Sequence, residues 1–270
     1  MKFTVLCSVY YKENPKYLNE CFLSIWNHQT LRPNEIVLVK DGPLSQSLDQ
    51  TIKKWQNFLG NILKVIILPE NLGLGPALNE GVKHCSYDWI FRMDTDDVST
   101  PSRFQEQVNF ILNHPNIVLC GGQIITFKTS IKHPIGKRLL PLSHKNILLY
   151  SRYRSPFNHQ TIAIKKSILQ EVQGYKPHLY MEDYNLWLRL LATDYEVANL
   201  KNTLVYMRIN DTHNRRRGLI YLRSEWQLLQ LKNNLMPHSI LSNIICFLIR
   251  AISRILPLFI FKKIYNVLHK

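Results

Sequence analysis

The first hundred residues alternate in a way that leaves few folds open. Short apolar runs at 3–9, 35–39, 63–68 and 88–93 are separated by stretches of helical periodicity. Each run is short and rich in β-branched or aromatic residues, so each reads as a strand. Leu18, Cys21, Phe22, Ile25 and Trp26 recur at the spacing of one helical face and predict a helix over 15–29. A second helix is predicted over 48–59. A third runs through Ala77, Leu78 and Val82, after a loop at 71–76. Strands and helices in turn predict an α/β fold with a mostly parallel, doubly wound sheet.

Ligands of such sheets bind beyond the carboxyl ends of the strands. Tyr10, Asp41, Asn71 and Asp94 stand at that edge, just after the four runs. A dinucleotide site wants Gly-x-Gly-x-x-Gly after the first strand. Here that strand ends Ser8-Val9-Tyr10-Tyr11-Lys12, without glycine, and Gly73-x-Gly75 follows the third strand and lacks the third glycine. No P-loop occurs either. A diphosphate at this edge would therefore need a metal for neutralisation, and Asp94-Thr95-Asp96-Asp97 offers three carboxylates within four positions. Carboxylates that close repel, which raises the cost of ionising all of them. A hard cation such as Mg²⁺ or Mn²⁺ removes that cost. The competing reading is an acidic turn before a helix, with Thr100 as its N-cap and Pro101 in its first turn.

Charge narrows the partners. The chain has 34 Lys and Arg against 19 Asp and Glu, formally +15. That favours an anionic partner: nucleic acid, a phosphorylated small molecule or an acidic membrane. Cys7, Cys21, Cys85, Cys120 and Cys246 are scattered with no Cys-x-x-Cys pair, which predicts buried thiols in a reducing compartment. Met1-Lys2-Phe3 runs straight into a strand, so no signal peptide is expected. Beyond Pro101 the pattern predicts a helix over 104–112 and strands at 117–122 and 123–127 broken between them. A basic loop over 128–144, a strand at 160–164 and a turn at Gly174-Tyr175 follow. A helix opens at Glu182-Asp183 with Leu186, Trp187, Leu190 and Leu191 on its apolar face.

Several motifs in order resemble one family. They are the opening Ser8-Val9-Tyr10-Tyr11, then Val-x-Val-Lys-Asp-Gly at 37–42, and Asn-x-Gly-x-Gly-x-Ala-Leu-Asn-x-Gly at 71–81. Asp94-Thr95-Asp96-Asp97, Asn158-His159-Gln160-Thr161 and Tyr180-Met181-Glu182-Asp183-Tyr184 follow. Together they are similar to the inverting family 2 glycosyltransferases of bacterial surface-polysaccharide synthesis, with the GT-A fold. The resemblance implies that Ser8, Tyr10 and Asp41, with Asn71 beside them, hold a uracil-type nucleotide. It implies that Asp94 meets ribose or metal, that Asp96 is the principal ligand of Mg or Mn, and that Asp97 supports or caps.

Inverting transfer needs one base for the acceptor hydroxyl. The resemblance assigns it to Asp183, with Glu182 either an acceptor contact or a stabiliser of the first helical turn. Tyrosines and Trp187 beside these acids would raise their basicity, whereas a helix N-terminus favours the anion. His159 is either an acceptor contact or a structural histidine. Arg215 and Arg216 read as a solvated run or as a clamp on the leaving phosphates. His213 is a candidate metal ligand, although His213-Asn214-Arg215 departs from the commonest family spacing.

The expected organisation is a catalytic domain over 1–236, with 1–100 as nucleotide-sugar half and 101–236 as acceptor half, followed by a basic amphipathic helix over 237–270. In that tail Ile244, Ile245, Leu248, Ala251, Ile252 and Ile255 lie near one face. Asn243, Arg250, Arg254, Lys262 and Lys263 form its polar complement. Arg250, Arg254 and Pro257 interrupt it too often for a spanning helix. It reads as an interfacial helix on an anionic leaflet or as a helix packed back on the domain. The whole reads as a cytoplasmic enzyme, peripheral on the inner face of the cell membrane. It would transfer a hexose or N-acetylhexosamine from a UDP-sugar to a lipid-linked or oligosaccharide acceptor. A sugar nucleotidyltransferase would need a glycine-rich triphosphate loop after the first strand. A nucleic-acid-binding protein rests on charge alone and leaves the acidic cluster without a role, so no nucleic acid is expected as partner.

Overall fold

The four predicted strands form the parallel half of the central sheet in the computed structural model, which describes residues 1–209, 218–235 and 239–255. They are β1 (Phe3–Val9), β2 (Glu35–Lys40), β3 (Leu63–Ile67) and β4 (Trp89–Arg92), in the order β3-β2-β1-β4. Successive side chains of a strand point to opposite faces, and β1 divides accordingly. Phe3, Val5, Cys7 and Val9 enter one core with α1 (Pro15–Phe22), α2 (Gln46–Leu59) and α4 (Arg103–Asn113). Leu6 enters the other, with α3 (Leu74–His84) and α7 (Glu182–Leu191). Both faces are therefore covered, as the unbroken apolar runs require.

The second half of the sheet is mixed. β8 (Ala163–Lys165) pairs antiparallel with β4 and with β6 (Ile117–Phe127). β9 (Glu196–Arg208) runs parallel to β6, and the two-residue β5 (Val98–Ser99) pairs antiparallel with β9. β7 (Pro134–Arg138) forms an exposed hairpin with β6. This extension returns the end of β9 to the loop that follows β4.

Several boundaries differ from expectation. α3 begins at Leu74, inside the expected loop, with Gly75 and Pro76 in its first turn, where proline's missing N–H costs nothing. Thr100 is not a cap: its hydroxyl donates to the Leu204 carbonyl at 3.1 Å and its N–H to the same oxygen at 2.9 Å, so α4 starts at Arg103. Gly121-Gly122 do not break β6. A Cβ at Gly121 would lie 2.5 Å from Asn199 Oδ1, and one at Gly122 would strike the Leu204 side chain, so these glycines permit close packing within a continuous strand. The expected loop at 128–144 contains β7, and α5 (His144–Ser151) starts at its end. The expected strand at 160–164 is a 3₁₀ turn, His159–Thr161, followed by β8 and α6 (Lys166–Glu171).

Of the two readings of the tail, its described part packs back on the domain. α8 (Leu219–Leu235) packs on α7 through Leu228 against Met181, Tyr184 and Leu188, and α9 (Ile240–Ile255) packs on α8. The polar side of α9 faces inward. Arg250 Nε and Nη2 donate to Glu225 at 2.6 and 3.0 Å, Arg254 Nη2 donates to it at 3.0 Å, and Asn243 bonds Asn233. Glu225 is 2% exposed. Ile244, Ile245, Leu248 and Ile252, 37–56% exposed, point outward. The polar face of α9 is thus turned onto the protein, where a buried carboxylate meets its arginines. Among the described residues no helix is long and apolar enough to cross a membrane. Lys262 and Lys263 lie outside the described residues.

Candidate active site

The acidic loop after β4 is held from all sides. Met93 N–H donates to the Leu6 carbonyl at 3.0 Å, continuing the parallel ladder past the end of β4. Arg103, fully buried, donates through Nη2 to the Arg92 carbonyl at 2.7 Å. Cys21 Sγ donates to the Asp94 carbonyl at 3.3 Å and Ser99 N–H to Ser24 Oγ at 3.0 Å, so α1 and its π-helical continuation, Leu23–Asn27, buttress the loop. From β9, the Arg208 N–H donates to Asp97 Oδ1 at 2.7 Å and its Nε to the Asp96 carbonyl at 3.0 Å. Arg208 also pairs with Glu20 at 2.6 Å and stacks on Tyr17 and Phe127.

Charge is concentrated there. Asp94 pairs with the buried Arg92. Burial, then the charges of Asp94 and Glu13, pushes the Asp96 carboxyl up to about 7. Burial and then Asp96 and Asp94 hold the fully enclosed Asp97 well above the carboxylate range, and its Oδ2 has no hydrogen-bond partner. Glu13 accepts from Thr95 Oγ1 at 2.8 Å and is itself raised, first by burial. The donor set is oxygen throughout, and its mutual repulsion is what a divalent cation would relieve, so Asp94 and Asp96 fit Mg²⁺ or Mn²⁺. Among the described residues no three His, Cys, Asp or Glu side chains form a cage of their own. Two carboxylates with substrate phosphates completing the shell suit Mg²⁺, which keeps several oxygen positions for ligand and water. His213, Arg215 and Arg216 lie outside the described residues.

The neighbouring strand ends build a second feature. Asp41 is 3% exposed, and its carboxylate accepts from Leu72 N–H at 2.7 Å, Gly73 N–H at 3.0 Å and Asn71 Nδ2 at 3.0 Å. Asp41 and Asn71 are thus brought together, and they pin the loop entering α3. Gly42 makes the approach possible: its φ is +84°, and a Cβ there would lie 2.6 Å from Asn71 N. Ser8 is half-buried with its carbonyl near Thr95 Oγ1 at 3.3 Å, and Tyr10 is 43% exposed at the open edge.

Glu182 and Asp183 occupy the first turn of α7, whose orientation is fixed by Trp187, fully buried and edge-on to Phe157 at 5.3 Å. The two acids serve different clefts. Glu182 lines one of about 570 Å³ with Gly73, Gly75, Pro76 and residues of α8. Asp183 lines another of about 500 Å³ with β7, α5 and α9 residues. Tyr180 borders both, stacked on Tyr221 at 4.4 Å. It has φ +63°, a conformation costly for an aromatic residue and found where function or packing enforces it. Ser155 Oγ donates to Asp183 Oδ2 at 3.4 Å. His159 lines neither cleft; its Nε2 lies 2.7 Å from the Tyr175 hydroxyl and its ring against Trp187, and burial, then Arg92, holds it neutral, well below the usual histidine range.

Glu13, Arg92 and Arg208 escaped the sequence reading. Arg208 meets Asp97 across 111 positions, and no local periodicity marks such a pair. Glu13 had one legible signal, an acid four residues beyond a strand end that faces the same edge.

Carboxylates at the end of a parallel strand, rigidly held and without a phosphate loop, are the arrangement of GT-A glycosyltransferases. Solved structures share the fold. Residues 1-349 of S. aureus TarS in complex with UDP superpose with TM-score 0.65 at 19% identity, over 87% of this chain and 66% of that one. The mannosyltransferase PcManGT from Pyrobaculum calidifontis, in complex with GDP-Man and Mn²⁺, gives 0.61 at 14% identity, over 99% of this chain and 80% of that one. Sequence fixes the family: the model of glycosyl transferase family 2 matches residues 6–173, and the chain belongs to that family. The amylovoran biosynthesis glycosyltransferase AmsE of Erwinia amylovora is 41% identical over 98% of both chains. The UDP-Gal:alpha-D-GlcNAc-diphosphoundecaprenol beta-1,3-galactosyltransferase of Escherichia coli is 35% identical over 83% of this chain and 80% of its own.

Proposed function

We propose that this glycosyltransferase works in bacterial polysaccharide synthesis, moving a hexose or N-acetylhexosamine from a UDP-sugar to a hydroxyl of a lipid-diphosphate-linked glycan, with inversion. The observation that carries the reading is the division of labour between two sites: crowded carboxylates at the end of β4 and a separate carboxylate, Asp183, in a cleft on the acceptor side. The similarity to an E. coli enzyme acting on a diphosphoundecaprenol-linked sugar supports the acceptor class.

Ser8, Tyr10 and the pinned Asp41–Asn71 loop form the edge on which the nucleotide rests. Asp94 and Asp96 would hold Mg²⁺ or Mn²⁺, which when bound neutralises the leaving diphosphate. Asp183 takes the proton from the acceptor hydroxyl as that oxygen bonds to the anomeric carbon. The bond from that carbon to the diphosphate oxygen breaks, and the nucleoside diphosphate leaves with the electron pair. Ser155 orients the Asp183 carboxylate, and Arg208 keeps the acidic loop from shifting.

The outward apolar face of α9 and the chain's net charge of +15 support a peripheral position on an anionic membrane. Free Cys7, Cys21, Cys85 and Cys120, all buried, fit a reducing compartment, hence the inner, cytoplasmic face.

Asp183→Asn tests the core of this reading, because it keeps the shape of the side chain and removes its basicity. General-base loss is worth ~10²–10⁴ in rate. Calorimetric affinity for the UDP-sugar should stay near wild type while turnover falls by that factor. Parallel loss of affinity, or turnover near wild type, refutes the assignment.

A further inference from the structure

We propose that the cationic cleft beside Asp183 binds the diphosphate of the acceptor, so that the enzyme selects sugars carried on a lipid diphosphate. The inference rests on the reading of Asp183 as base and adds the element of the acceptor that the protein recognises. The cleft is lined by Lys137 and Arg138 from β7, Arg154 from the loop after α5, and Arg250 and Arg254 from α9. These side chains come from three separate segments, the last of them α9, about a hundred positions beyond the other two, so the fold, and no local charge run, has assembled them. Among the described residues, the carboxylates beside them are Asp183 in the wall and Glu225, which accepts from both α9 arginines. Among the described residues that line the cleft, five are cations and one, Asp183, is a carboxylate, so positive charge prevails there. A diphosphate diester supplies two negative charges and a row of acceptor oxygens.

The arginines are set in place beforehand. Arg250 donates to the Tyr153 carbonyl at 3.1 Å as well as to Glu225, and Arg138 donates to the Ser155 carbonyl at 2.9 Å. Ser155 is also the residue that bonds Asp183, so one loop couples the cationic wall to the base. Guanidiniums held this way lose little freedom on binding an anion. A cleft of about 500 Å³ accommodates a diphosphate and one sugar. Neither Asp94 nor Asp96 lines it, so the donor's diphosphate has its place elsewhere. The lipid has an exit too, because the helix that supplies Arg250 and Arg254 presents Leu248 and Ile252 outward.

The test uses the full chain, a UDP-sugar donor and two acceptors: N-acetylglucosamine joined through a diphosphate to a dodecyl chain, and dodecyl N-acetylglucosaminide without it. The wild type should prefer the diphosphate acceptor by at least a hundredfold in kcat/KM. Lys137→Gln/Arg154→Gln alters two exposed side chains and should cut that preference at least tenfold, chiefly through KM. An equal loss on both acceptors, or no loss, overturns the proposal. Should neither acceptor be used, the acceptor reading fails separately, and calorimetry of dodecyl diphosphate in EDTA still decides. Affinity at least tenfold weaker in the double variant upholds the cleft, and equal affinity overturns it. If binding to phosphatidylglycerol vesicles falls in the variant by the same factor as dodecyl diphosphate binding, the cleft reads membrane headgroups and the proposal is overturned.

Discussion

Replacing Glu225 by Gln should release α9 from the protein. The side chain is 1% exposed and accepts from Arg250 Nε and Nη2 at 2.6 and 3.0 Å and from Arg254 Nε and Nη2 at 3.2 and 3.0 Å. Gln keeps the volume but removes the charge and turns an N–H₂ toward two guanidiniums. Breaking one side of a buried ion cluster costs about 3–5 kcal/mol. The exposed aliphatic residues of α9, Ile244, Ile245, Leu248 and Ile252, add little to its docking, because they face outward. Its described inward contacts beyond the cluster include Ala251, Asn243, the Arg250 Nη1 bond to the Tyr153 carbonyl at 3.1 Å, Cys246 Sγ against the Arg152 carbonyl, and the edge-on meeting of Phe247 with Trp226 at 5.7 Å. At about 1.4 kcal/mol per decade, even the lower figure shifts the docking equilibrium by roughly 10². Native-state hydrogen exchange should show protection of the α9 amides reduced by that factor, while amides of α3, on the far side of α7, keep theirs. Protection of α9 within threefold of wild type would refute the claim that this cluster turns the polar face inward.

Two further outcomes follow from the same geometry. Ile245→Glu/Leu248→Glu alters residues 50% and 51% exposed, so folding should be unaffected. Each buried aliphatic side chain is worth about 1.5–3 kcal/mol, so sedimentation with anionic vesicles should fall at least tenfold; undiminished binding would mean that α9 does not meet the bilayer. The Asp96 carboxyl, at about 7 in the folded protein against 3.8 ordinarily, binds an extra proton in the native state between those values. Its stabilising contribution is therefore complete below about pH 4 and lost as pH rises through 7, on the order of 2–4 kcal/mol. Urea unfolding in EDTA at pH 5 and pH 8 should show that decline, and Asp96→Asn should flatten it; stability in the wild type that rises over this interval would contradict it.

The amino-acid order alone determined the parallel half of the sheet. β1 and β2 match the apolar runs almost residue for residue, because strands buried on both faces must be apolar at every position and helices beside them must show period 3.6. It also placed Tyr10, Asp41, Asn71 and Asp94 at one edge, since parallel strands joined by helices leave all their carboxyl ends on the same side. The antiparallel half was not legible in the same way. Thr100 looked like a cap until β9 offered it a carbonyl, and Gly121-Gly122 looked like a break until Asn199 and Leu204 filled the space above them. Composition showed that α9 is amphipathic, but not which face turns inward. That depended on a single carboxylate, Glu225, placed on another helix, and the strength of a buried charge pair depends on distance and enclosure that only the folded chain supplies. The same holds for Asp96 and for the five cations of the cleft beside Asp183: side-chain identity is written in the sequence, whereas proximity between distant segments, and the electrostatics that come with it, arises from tertiary packing alone.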